Sequence, residues 1–301
     1  MKNSISIVCW ATVSAFAQIL PAAAVDQDAM IKRGEYLING PVACANCHTP
    51  RNPDFSFQAG MDFAGGFKIV DMAFEVYSAN ITPDKETGIG NWTDDQIITA
   101  LREGKDKDGK VIFPPMPIPT YNKMADEDVK AIVAYLHTLK PISHKVDDSK
   151  WNMPQQAMPP AQGLAAPPKT DKVAYGGYIV NSLAHCFECH SSRGANGAPD
   201  FVNHLGAGGF DITLAPGMEV QTANITSDPE TGIGKWSDAD IKKAITQGMT
   251  PTGGHLSPPM PYPFFKNMTD EDVDAVVAYI RTIPPIKNKV ERTEFQKKAF
   301  P

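Results

Sequence analysis

Cys44-Ala45-Asn46-Cys47-His48 and, further along, Cys186-Phe187-Glu188-Cys189-His190 are two copies of the pattern C-x-x-C-H. The pattern matches the attachment site of a c-type haem. Two thiols three positions apart sit on one helical turn, where each can form a thioether with a porphyrin vinyl group. The histidine directly after them is then carried beneath the iron, and neutral imidazole is a good iron ligand. On this reading Cys44, Cys47, Cys186 and Cys189 attach two haems c per chain, and His48 and His190 are the proximal ligands. A structural zinc site would need four ligands to converge, whereas these pairs lie far apart in the chain. A thioredoxin-like C-x-x-C would need a βαβ setting, and the pattern offers none.

Working outward, each motif sits at the same place in a repeated unit. Tyr36 and His48 recur as Tyr178 and His190, both 142 positions later. Ala79-Asn80-Ile81-Thr82 recurs as Ala223-Asn224-Ile225-Thr226, and Glu86-Thr87-Gly88-Ile89-Gly90-Asn91-Trp92 as Glu230-Thr231-Gly232-Ile233-Gly234-Lys235-Trp236. Two copies of roughly 120 residues make a duplication rather than a solenoid. Each copy reads as a helix, the haem motif, a long irregular loop and a second helix, then a proline-rich loop and a last helix. The second helix opens on Thr93-Asp94-Asp95-Gln96 or Ser237-Asp238-Ala239-Asp240, a hydroxyl N-cap followed by acids. Val129, Ile132, Val133 and Leu136 give the last helix one apolar face, as do Val273, Val276, Val277 and Ile280. The fold is expected to be mainly α.

The proline-rich loops carry the candidates for a sixth iron ligand. Met116 lies in Pro114-Pro115-Met116-Pro117 and Met260 in Pro258-Pro259-Met260-Pro261. Prolines stiffen the backbone, so such a loop holds a thioether toward an iron, and His/Met ligation raises the reduction potential and suits electron transfer. Met124 and Met268 also match, but each precedes a helix cap and reads as packing. His255 is a rival ligand without a counterpart, since Val111 stands there in the first copy. His137, His144, His185 and His204 read as packed or surface histidines. Asn80, Trp92, Asn224 and Trp236 either donate to haem propionates or hold turns and fill the core. Asp106-Lys107-Asp108-Gly109 lacks the remaining ligands of a calcium loop and reads as a turn.

Composition frames this reading. The 301 residues are 42% hydrophobic with a formal charge of −6, which argues against nucleic acid as a partner and suits docking to a basic patch. Residues 1–24 have the layout of a cleavable signal peptide: basic start, apolar run, Ala22-Ala23-Ala24 site. The apolar run is shorter than the roughly 20 residues of a membrane span, so no transmembrane anchor is expected. Cys9 belongs to that run, leaving the four motif cysteines in an exported chain. Residues 25–145 are read as a first domain, 146–170 as a Pro-rich linker, and 171–301 as a second domain with a charged tail.

The combination of C-x-x-C-H, Ala79-Asn80-Ile81-Thr82-Pro83-Asp84-Lys85-Glu86-Thr87-Gly88-Ile89-Gly90-Asn91-Trp92 and Pro-Pro-Met-Pro resembles the cytochrome c subunits of bacterial periplasmic alcohol, aldehyde and gluconate dehydrogenases. The resemblance implies two tandem class I cytochrome c-like domains, each wrapping one covalently bound haem, with Met116 and Met260 as distal ligands. It implies an electron-transfer protein rather than an enzyme, fed by a periplasmic dehydrogenase and drained by a small cytochrome, a quinone or a terminal oxidase. The expected location is the periplasm, peripheral on the inner membrane or free. Membrane-bound members of that group carry three haem motifs and usually an anchor; two motifs here favour a dihaem carrier. The alternative from another class is a dihaem cytochrome c peroxidase, which needs one open iron and a distal acid–base group.

Overall fold

The structure, a computed structural model, describes residues 26–291 apart from 72, 196, 216 and 217; side chains 214, 215 and 218 are also left undescribed. The expected signal peptide and the end of the tail lie outside the described residues. The chain runs α1 (Gln27–Asn39), α2 (Ala45–His48), β1 (Lys68–Asp71), β2 (Phe74–Tyr77), α3 (Asp94–Glu103), α4 (Ile118–Tyr121) and α5 (Asp126–Leu136). After β3 (Lys150–Trp151) the order repeats. It runs α6 (Lys172–Tyr178) with a π-helical continuation (Ile179–Leu183), α7 (Cys186–His190), β4 (Asp211–Ala215), β5 (Met218–Gln221), α8 (Asp238–Gln247), α9 (Tyr262–Phe265) and α10 (Asp270–Ile280).

The helix signals act as read. Thr93 and Gln96 form a reciprocal capping box at the start of α3, as Ser237 and Asp240 do for α8. Both helices stop at a left-handed glycine, Gly104 and Gly248. The first and last helices of each repeat cross at glycine: a Cβ at Gly34 would sit 1.9 Å from the Ala131 carbonyl oxygen, and one at Gly176 1.9 Å from that of Ala275. No other residue permits so close a crossing. Leu37, Ile38, Val129 and Ile132 fill the first helix pair, and Ile179, Val180, Val273 and Val276 the second. Both sets belong to one continuous core.

The stretches expected to be irregular hold two antiparallel hairpins, β1–β2 and β4–β5. In the first, Lys68 pairs with Tyr77 and Asp71 with Phe74. Of its eight strand residues only Val76 is buried, so the alternation that betrays a strand is nearly absent from the sequence. The segment read as a linker supplies β3, which adds to the edge of β2 with Trp151 opposite Phe74.

The repeated Asn-Ile-Thr and Glu-Thr-Gly-Ile-Gly runs close a loop by polar contacts. Asn80 Oδ1 accepts from the Thr82 backbone N–H and hydroxyl, and its amide donates to Thr87 Oγ1 and to the Ile142 carbonyl. Asn224 repeats each contact with Thr226, Thr231 and Ile286. These asparagines therefore hold turns, and Trp92 and Trp236 are partly buried against the core. Asp84 accepts from the Thr87 hydroxyl and backbone, and Asp228 from the Thr231 backbone and hydroxyl, which hold both carboxyls below the usual range. A depressed carboxyl stabilises the fold above its unfolded value of about 4, and that contribution disappears as the pH falls through the folded value. Asp84→Asn with Asp228→Asn is thus expected to flatten the acid limb of stability below about pH 4. Urea midpoints measured between pH 5 and pH 2 check this; an unchanged acid limb would count against the loop's role.

Candidate functional site

Each C-x-x-C-H run forms a one-turn helix, α2 or α7, entered through a non-glycine residue at positive φ: Ala43 at 52° or His185 at 43°. That reversal turns the chain sharply from the first helix of each repeat into the motif. All four cysteines are free of disulfides; Cys44, Cys186 and Cys189 are half-buried and Cys47 is exposed. Burial pushes the Cys44 and Cys186 thiols up to about 12 and Cys189 to about 11. These are protonated thiols, unlike the low-pKa cysteines of thiol–disulfide enzymes.

The two histidines are fixed identically. His48 Nδ1 lies 2.7 Å from the Ala79 carbonyl oxygen and His190 Nδ1 2.8 Å from that of Ala223. A carbonyl accepts only, so Nδ1 carries the proton and Nε2 keeps its lone pair, the arrangement of a metal-bound imidazole oriented by an outer partner. Burial lowers both imidazoles below the ordinary value, favouring that neutral form. Met116 and Met260 are half-buried and pack against the core that also receives Cys44 and Cys186. Unpaired thiols three apart and an imidazole with a directed Nε2 are donors of the kind that fit a covalently held haem, and each repeat adds a half-buried thioether against the same core.

The remaining candidates have other partners. Met124 is fully buried and Met268 nearly so, as packing requires. His137 Nε2 meets Asp94 at 2.8 Å, His144 Nδ1 the Ala64 carbonyl at 2.8 Å, and His204 Nδ1 Asp200 at 2.8 Å. His185 stacks edge-on to Tyr121, and burial lowers it to about 4. His255 lies in a backbone bridge with Met249. Asp106 accepts from the Asp108 and Lys110 backbone and closes a turn. Among the described residues no group of three His, Cys, Asp or Glu side chains could hold a metal ion.

Sequence reasoning missed how the repeats meet. Tyr36 on α1 donates to Asp272 Oδ2 of α10 at 2.5 Å, and Tyr178 on α6 donates to Asp128 Oδ2 of α5 at 2.6 Å. Each tyrosine oxygen in turn accepts the backbone N–H that precedes the partner's last helix, from Thr269 or Ala125. Burial, then the neighbouring carboxylate, raises both phenols above their ordinary value, so they remain donors. Arg33 pairs with Asp128 at 2.8 Å and Lys169 with Asp272 at 2.7 Å. The haem motifs lie on the same seam: Asn46 Nδ2 donates to the Pro259 carbonyl at 3.2 Å, and Thr120 Oγ1 to Glu188 at 3.0 Å. The signal was present, because both tyrosines and both Asp-Glu-Asp runs recur, but only the fold shows that they recur to touch each other.

A family model described as cytochrome c matches residues 31–140 and 176–284. The chain is 33% identical, over 86% of its length, to the alcohol dehydrogenase (quinone) cytochrome c subunit of Gluconobacter oxydans, of which it covers 56%. It is 32% identical, over 85% of its length, to the gluconate 2-dehydrogenase cytochrome c subunit of Pantoea cypripedii, covering 60%. A diheme cytochrome c-type protein of Cereibacter sphaeroides is 29% identical over 81% of the chain, which covers 83% of it. The chain thus spans little more than half the length of these two dehydrogenase cytochrome c subunits.

Proposed function

The chain belongs to the cytochrome c family, and from that premise we propose that it carries two covalently bound haems c and relays electrons from a dehydrogenase to a downstream cytochrome, quinone or oxidase. Cys44 and Cys47 attach one haem, Cys186 and Cys189 the other; His48 and His190 are the proximal ligands, Met116 and Met260 the distal ones. The observation that carries this reading is the duplicated motif histidine, its Nδ1 committed in both repeats to a backbone carbonyl. Each haem supplies a one-electron ferric/ferrous couple, which no side chain of the protein offers. The protein's own groups orient the imidazoles, would supply a neutral thioether as the further ligand, and bring both attachment helices to one seam. A periplasmic location belongs to the same proposal, and the signal-like pattern of residues 1–24 supports it. Among the described residues no helix is long and apolar enough to cross a membrane.

The test is the near-infrared sulfur-to-iron band of the oxidised holoprotein, measured with cyanide binding. Two methionine-ligated irons give a full two-haem band and slow cyanide binding. Met116→Ala and Met260→Ala are each expected to remove half of the band and open one iron to rapid binding. A half-intensity band with one rapidly binding iron in the unaltered protein would overturn the reading and favour the peroxidase.

A further inference from the structure

The segment that follows α5 folds back across the loop that holds Met116. From β3, Trp151 Nε1 donates to the Pro114 carbonyl at 2.7 Å. Gln155 Nε2 donates to the Val111 and Phe113 carbonyls at 3.1 and 3.0 Å. The strap is itself tied down, since the Asn152 N–H bonds the Ala73 carbonyl and the Met158 N–H that of Glu103. Pro114, Pro115 and Pro117 bring no N–H groups, so this stretch cannot build a ladder of its own. Its carbonyls need outside donors. The second repeat meets the same need differently: Asn46, from the first haem motif, donates to Pro259.

We propose that Trp151 and Gln155 are positioning residues for Met116, clamping its loop so that the thioether stays on the first iron. The proposal rests on Met116 being that ligand. Three carbonyls of the loop are tied to the strap, and moving Met116 away means breaking hydrogen bonds to a segment that is anchored at both ends. The two methionines are therefore held by unlike donors: an indole and an amide from the segment between the repeats for Met116, an asparagine of the neighbouring haem motif for Met260.

Cyanide reaches a six-coordinate ferric iron only when the methionine lets go, so its binding rate reports loop release. In the holoprotein, Trp151→Phe, which removes one hydrogen bond, is expected to speed the first-haem phase about fivefold, Gln155→Ala, which removes two, about 25-fold, and the double variant more than either. The potential of the first haem should fall, while the second-haem phase stays unchanged. Asn46→Ala should speed the second phase, because it removes the donor to the Pro259 carbonyl. A merely structural role would lower the urea midpoint and leave cyanide kinetics and potential alone, which would overturn the clamp. Should Trp151→Phe fail to fold, Gln155→Ala with Gln155→Asn as the rescuing variant carries the same test. Met116→Ala separates the two failures. If it halves the near-infrared band while the double variant changes nothing, the clamp falls alone; if it leaves the band whole, the ligand assignment falls and the clamp with it.

Discussion

Gly34→Ala is expected to destabilise the protein by about 3 kcal/mol, the upper part of the range for overpacking a fixed contact. The added methyl would arrive 1.9 Å from the Ala131 carbonyl oxygen, 2.6 Å from its carbon and 2.7 Å from Tyr135 Cβ. Two of these atoms are helix backbone, so relief requires α1 and α5 to separate. Separation would loosen Leu37 and Ile38 from Val129 and Ile132, and with them the entry to α2. Gly176→Ala should behave alike, against Ala275 at 1.9 Å. The neighbour Gly177 is the internal control: its nearest obstacle is the Tyr279 ring, 2.9 Å away, and a ring can swing. Gly177→Ala is expected to cost about 1 kcal/mol or less, near the gain or loss of an ordinary surface substitution. Urea denaturation of the three holoproteins decides the matter; equal costs at 34 and 177 would defeat the argument from backbone contact.

A loss of about 1–3 kcal/mol is expected for Asp272→Ala, because it removes a buried acceptor that several donors share. Asp272 is only 1% exposed, yet it receives the Tyr36 hydroxyl and the Lys169 ammonium. Without it, a half-buried phenol loses its acceptor and the two repeats lose half of their reciprocal contact. Asp128→Ala removes the other half, taking partners from Tyr178 and Arg33. Asp272→Asn should cost less, since an amide oxygen still accepts from Tyr36. The distinguishing measurement is denaturation followed separately at each haem's absorbance after loading. Coupled repeats unfold together in the native chain, and Asp272→Ala with Asp128→Ala should split the transition in two. A single transition at an unchanged midpoint would show that the seam contributes nothing.

What could be read in advance was local. Cys44, Cys47 and His48 announce themselves within five residues, and Thr93 with Gln96 marks a helix start within four. Their chemistry depends on neighbours along the chain, which is what a sequence displays. The first hairpin escaped because two four-residue strands with one buried side chain between them leave no period to detect. Asn80 stood open between a propionate donor and a turn until its amide was seen to be spent on Thr87 and Ile142. The contact of Tyr36 with Asp272 joins positions more than two hundred residues apart. No spacing rule reaches that far, although the recurrence of both residues pointed to their importance. Trp151 was hidden for another reason: Pro, Ala, Gln and Met around it read as a passive spacer, and its task appears only when the Pro114 carbonyl is found opposite.

The tyrosine–aspartate exchange between repeats has the form of an isologous interface, in which the same patch on each half meets its own copy. Between separate subunits such a pairing exists only above their dissociation constant and fails on dilution. Here residues 146–170 join the halves, so association is intramolecular and its effective concentration is set by the chain. The spatial relation of the two centres is therefore independent of how much protein is present. Tethering also frees the halves to diverge: Arg33 serves one aspartate and Lys169 the other, a difference that two identical subunits could not maintain.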